Sequence, residues 1–199
     1  LDNMELDERW CLIHCTQMTT QETVSLAQSG AVAGLCPITE SNLGDGVFDA
    51  VRWMDSGGKI AVGSDSNIRI ALSEELRTLD YSQRLRDGTR AALASSKYST
   101  GRRMFESILK GGAQATQRKT GRLEVGYWAD MLTLDTSSEY LWGRANDTTL
   151  DAWIFAGDDR LVTDVWSAGR HMVKDGEHIA RANIVAAYRQ TINALKDDL

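Results

Sequence analysis

The stretch Trp10–Thr16, WCLIHCT, is a short, nearly continuous apolar run that carries a histidine at its far end. Two further runs of the same kind follow: AVAGLCP at 31–37, stopped by the only proline, and KIAVGSDS at 59–66, which ends on an acid. Runs this apolar read as strands buried on both faces, not as half-exposed strands of alternating pattern. Between them lie helical patterns. Thr19-Thr20-Gln21-Glu22 is a capping-box start to a helix ending near Gly30. VFDAVRWMDSGG reads as a helix closed by paired glycines, and ITESNLGDG ahead of it as a loop. Ser73-Glu74-Glu75 opens a long helix to about Arg86, its acids at the positive end of the dipole. RRMFESILKGGAQAT supplies one more. Strand–helix alternation of this kind builds an α/β fold with a parallel sheet covered by helices. Three units fall short of the eight that close a barrel.

After about Gln117 the rhythm changes. GRLEVGYWADMLTLD, LDAWIFAG and LVTDVWSAGRHMVKDGEHI read as short antiparallel strands between Gly, Asp and Asn turns, closed by a helix around Ile184–Leu195. The sequence therefore divides into residues 1–117, of parallel βα type, and 118–199, a small β-domain with a C-terminal helix.

Composition sets limits on function. The 199 residues are 42% hydrophobic and 25% charged, enough for one or two domains with a sizeable core. No apolar run approaches the roughly 20 residues of a membrane span. LDNMELDERW offers no secretory signal, and the absence of an initial Met leads us to expect an excised or processed piece. A net charge of -6 without a Lys/Arg block argues against nucleic acid and anionic membranes as partners. Cys11, Cys15 and Cys36 are odd in number and lie in apolar segments, which points to buried thiols and a reducing, cytoplasmic setting.

Protonatable residues at the ends of the apolar strands are few. His14 ends WCLIH and Asp65 ends KIAVGSD, two βα steps on. In parallel barrels such strand ends converge on the place where chemistry occurs. An acid there can ligate a cation and carry a proton, and a nearby histidine can polarise a scissile bond. The bland alternatives are a core histidine and an aspartate capping the turn Ser64–Asn67. Cys15 beside His14 should face away from it. Asn42–Gly46 lacks the lysine of a phosphate loop and reads as turn and cap. His171 and His178 are expected to be solvated, and the six tryptophans to serve core or interface. Arg84, Arg86 and Arg90 are expected on a solvated helix face, with a subunit contact as the alternative.

Taken together, these residues resemble the amidohydrolase superfamily. The cues are His14, the GSD at 63–65, and the tail pattern Gly121-x-Leu123-x-x-Gly126-x-x-Ala129-Asp130-x-x-x-Leu134-Asp135. Longer stretches, SGAVAGLCPITESNLGDGVFDAV, GSDSNI, EELRTLDYSQRLRDG and WIFAGDDRLVTDVWSAGR, are similar to its formimidoylglutamate deiminase branch. The resemblance implies the sixth to eighth βα units of a (β/α)8 TIM-type barrel, then the C-terminal share of a small β-sandwich domain. It implies hydrolysis of N-formimino-L-glutamate to N-formyl-L-glutamate and ammonia in histidine degradation, with one divalent metal, usually zinc, and a homodimer. Asp65 matches the metal ligand that accepts a proton from the attacking water, and His14 the histidine that assists attack.

Departures accompany the match. Gln17 and Asn67 stand where the family often has histidine. The family's His-x-His pair, its other His with a nearby Glu, and most substrate-carboxylate contacts belong to segments preceding Leu1. With only one or two ligands left, the piece alone is expected to be inactive and to need the N-terminal half as partner, its open strand edges favouring association. The competing functions are another amidohydrolase, of imidazolonepropionase or guanine/cytosine type, and a non-catalytic assembly module.

Overall fold

The computed structural model describes residues 4–67 and 69–196. Ile68, the last residue of GSDSNI, lies outside them, as do Leu1–Asn3 of the opening decapeptide. The three apolar runs form β1 (Cys11–Ile13), β2 (Val32–Leu35) and β3 (Lys59–Val62), which pair in parallel in that order. The central β2 is buried at every position, as its uninterrupted apolar sequence requires. Between β1 and β2 runs α1 (Thr20–Gln28), opened by the expected capping box. The Thr19 hydroxyl accepts from the Glu22 amide while the Thr19 amide donates to Glu22 Oε2 at 2.7 Å. Then come α2 (Pro37–Leu43) and α3 (Ala50–Asp55) before β3, and α4 (Leu72–Asp87) and α5 (Thr100–Thr116) after it.

Two segments differ from the sequence expectation. ITESNLGDG is not a loop, because Pro37 both ends the strand run and occupies the first turn of α2. A proline there has the helical φ already set and no amide to leave unpaired. Gly44, left-handed at φ 71°, ends the helix. LDAWIFAG is not a strand either. It lies in α6 (Asp147–Phe155), which buries Ala152, Trp153 and Ile154. A short apolar run is ambiguous between the two periods, and here the packing against α4 and α5 selects the helix. Arg77 holds the end of α6 by donating from Nε to the Ile154 carbonyl at 2.6 Å.

The core is continuous across residue 117. Leu35, Trp53, Ile60, Leu76 and Met104 join Leu141, Trp153, Ile154 and Leu161 in one buried cluster. The remaining strands, β4 (Met131–Leu134), β5 (Val162–Ser167), β6 (Arg170–Lys174) and β7 (Glu177–His178), form one antiparallel sheet in chain order. Its two tight turns, Ala168-Gly169 and Asp175-Gly176, have positive φ at both residues, the geometry that suits the strand twist of a hairpin. A single 3-10 turn at Asp159–Leu161 leads into β5, and α7 (Arg181–Leu195) closes the chain with no buried residue. No helix among the described residues is long and apolar enough to cross a membrane.

Candidate active site

The ends of β1, β2 and β3 present His14, Cys36 and Asp65 side by side. A ligand atom from each lies within 4.8 Å of the others. His14 follows β1 directly, and its amide still donates to the Gly34 carbonyl at 2.8 Å, so the ladder fixes its Cα. Its backbone is left-handed, at φ 68°, and so is that of Asp65, at φ 52°. His and Asp are among the few side chains enriched there. Such residues cost of order 1–3 kcal/mol and cluster at functional sites. The turn carrying Asp65 leaves its two oxygens unequal. Oδ1 accepts from the Ser66 amide at 2.7 Å, while Oδ2 faces His14 Nε2 at 3.8 Å. Both side chains are 36% exposed. The structure thus brings the two expected residues together.

Behind His14 stands a residue that the sequence reading passed over. Glu40, in the first turn of α2 and 5% exposed, points inward. Its Oε1 accepts from the Cys36 amide at 2.8 Å and lies 3.2 Å from His14 Nδ1. The available signal was a strand end followed at once by a proline-opened helix with an acid in its first turn. Glu75 is also turned inward, so it does more than complement the dipole of α4. It is 2% exposed, and its Oε2 accepts from the Ile38 amide at 2.9 Å while Oε1 has no partner among the described residues. Burial, helped by negative Glu40 and Glu74, pushes its carboxyl up to about 7, against the pull of the Ile38 amide.

The thiols behave as expected of core fillers in part. All three are free; Cys36 is buried, whereas Cys11 and Cys15 are partly exposed. Burial, aided by negative Glu40, Asp65 and Glu75, pushes Cys36 up to about 11. Cys36 is therefore held as a thiol, not a thiolate, at neutral pH. Asp65 Oδ2, which takes no hydrogen bond among the described residues, suits a hard or borderline cation. A tetrahedral zinc site takes four ligands, three of them protein groups when catalytic, so Asp65 and its neighbours form a partial donor set.

Other expected residues lie elsewhere. His171 is half-exposed and also paired: Nε2 lies 2.7 Å from Asp164 Oδ1, and the ring stacks on Trp166 at 4.5 Å. The partnership with His171 holds the Asp164 carboxyl below the usual range. His178 is partly buried at β7, where its Nδ1 accepts from the Ala180 amide. Of the tryptophans, Trp53 and Trp153 are core, while Trp10, Trp128 and Trp142 are exposed. Arg84 is not simply solvated; it pairs with buried Asp80 and lies over the Phe155 and Tyr81 rings. Arg86 pairs with Asp49 and Asp87. An apolar cleft of about 850 Å3 opens between α5 and the antiparallel sheet, lined by Ile108, Leu132 and Trp153 among others, on elements different from those of His14 and Asp65.

Parallel βα units with a His/Asp pair at their strand ends define a recognisable class. Residues 1–172 match the amidohydrolase family, and the chain belongs to it. Within that family it is 44% identical over 197 residues to the formimidoylglutamate deiminase of Pseudomonas aeruginosa, a match that covers 98% of this chain and 44% of that protein. Among solved structures it superposes on an amidohydrolase from Brucella melitensis with a TM-score of 0.90 and 42% identity, covering 98% of this chain and 43% of the other. A zinc-bound adenosine deaminase from Xanthomonas campestris follows, with a TM-score of 0.82 and 25% identity, over 96% and 44%. The chain thus spans less than half the length of these relatives.

Proposed function

We propose that this chain is part of a metal-dependent hydrolase that converts N-formimino-L-glutamate and water to N-formyl-L-glutamate and ammonia. The observation that carries the proposal is the meeting of His14 and Asp65 across the end of β2, from the ends of β1 and β3, in a chain 44% identical over 98% of its length to a formimidoylglutamate deiminase. Asp65 is the residue that would hold the metal, with zinc favoured by the zinc-bound relative. When bound, such an ion would bring the pKa of water down towards about 7.

The chain's own residues supply the proton handling. The formimino carbon gains the oxygen of water and loses its imino nitrogen as ammonia, so both protons of that water must travel to the departing nitrogen. The Asp65 carboxylate takes them up and delivers them in turn. His14 Nε2, on the other side of the same space, assists attack at the formimino carbon.

On this reading residues 1–117 are the last βα units of a closed eight-stranded barrel, and residues 118–199 the C-terminal share of a β-sandwich. Support comes from the parallel sheet itself, which leaves one edge of β1 and one of β3 unpaired among the described residues. The remaining metal ligands and the contacts to the substrate's carboxylates come from the rest of a longer chain, and these 199 residues alone do not turn over substrate. By its resemblance to the deiminase, the protein would act in histidine breakdown, in the cytoplasm and as a homodimer. The test is turnover by the complete protein, read as ammonia release from formiminoglutamate, guanine and cytosine and as ring opening of imidazolonepropionate, in parallel. Turnover of formiminoglutamate alone is expected; its absence together with turnover of another compound overturns the proposal.

A further inference from the structure

We propose that Glu40 is a positioning residue that fixes the tautomer of His14, with the proton on Nδ1 and the Nε2 lone pair facing Asp65. Glu40 Oε1 accepts from the Cys36 amide at 2.8 Å. A backbone N–H can only donate, so this oxygen acts as an acceptor. Its second lone pair faces His14 Nδ1 at 3.2 Å. A carboxylate accepts only, so Nδ1 must carry the hydrogen. In a neutral imidazole one nitrogen donates and the other accepts, which leaves Nε2 bare on the side where Asp65 Oδ2 lies 3.8 Å away. His14 then enters the reaction able to receive a proton or a hydrogen bond at Nε2, and the charge it gains is offset by Glu40 behind it.

The support for Glu40 is built to be rigid. Pro37 opens α2 and Gly44 ends it. The Ile38 amide ties the helix to Glu75 on α4, and the Thr39 hydroxyl donates to the Ser64 carbonyl at 3.3 Å, next to Asp65. One short helix therefore sets both the acceptor for His14 and the loop that carries Asp65. A carboxylate behind a functional histidine fixes ring orientation as well as tautomer.

Only the kinetic arm of the test rests on the hydrolase proposal. Glu40→Gln keeps an oxygen able to accept from both the Cys36 amide and Nδ1 while removing the charge. Glu40→Asp keeps the charge but withdraws the oxygen from Nδ1. In the complete protein labelled with 15N-histidine, with His14→Asn to assign the His14 signals, wild type and Glu40→Gln should show the Nδ1–H tautomer. Glu40→Asp should lose it. With formiminoglutamate, Glu40→Asp should lower kcat roughly 10- to 100-fold with KM within about twofold, and Glu40→Gln should lose much less. A wild-type His14 protonated on Nε2, or a tautomer unmoved by Glu40→Asp, overturns the inference whatever the substrate. A Glu40→Asp variant that changes KM alone also overturns it. Absence of wild-type turnover strikes the hydrolase proposal and leaves the spectroscopic result to decide this one.

Discussion

Gly111 of α5 lies so close to Ile60 of β3 that a β-carbon on it would overlap the Ile60 carbonyl. The helix reaches the central sheet only because that position has no side chain. Its neighbour Gly112 faces open space. The two glycines predict opposite outcomes for one chemical change. Gly111→Ala should destabilise the fold by about 2–3 kcal/mol, the cost of forcing a methyl group into a packed interface. Gly112→Ala should be neutral or stabilising by up to about 1 kcal/mol, from helix propensity alone. Denaturant unfolding of both variants checks this.

Glu75 predicts a pH dependence of stability. Its carboxyl is raised from an ordinary 4.5 to about 7 by burial. The folded state therefore binds the proton more tightly than the unfolded state between those values, and stability falls as pH rises through that window. The loss at pH 8 relative to pH 4.5 is about 3 kcal/mol at most. Glu75→Gln, which can still accept the Ile38 amide, should flatten the pH dependence of the unfolding midpoint by a corresponding amount.

The thiols predict slow native-state chemistry. Cys15 and Cys36 are both pushed up to about 11 from 9.0, chiefly by burial. At pH 8 each should react with iodoacetamide about 100-fold more slowly than in the unfolded chain, since thiolate is the reactive form. Mass spectrometry of timed alkylations reads this directly. Fast labelling of Cys36 in the native protein would contradict that burial.

Much of this architecture is readable from residues alone, and the limits have physical causes. The runs around Leu12, Ala33 and Ile60 are legible because a strand covered on both faces has no polar positions to interrupt it. Thr19 and Glu22 announce a helix start through their own side chains, and Asp175-Gly176 announces a hairpin. The helix at 147–155 is not legible in the same way, since Ala152, Trp153 and Ile154 become a helical face only once α4 and α5 are there to receive it. His171 escapes for a related reason. Its pairing opposite Trp166 follows from strand register, which includes a bulge beside Trp166. At the site, His14 and Asp65 stand out as polar residues ending apolar strands. Glu40 does not, because its partner lies 26 residues away in sequence and the fold must exist before the two can meet.

The most direct test of the central claim is Asp65→Asn in the complete protein, with bound metal and ammonia release from formiminoglutamate measured on the same samples. An amide cannot take up the proton and is a weaker ligand. The account predicts a folded protein with reduced zinc content and turnover lowered by roughly 100-fold or more. A variant that retains both stoichiometric metal and wild-type turnover would contradict it.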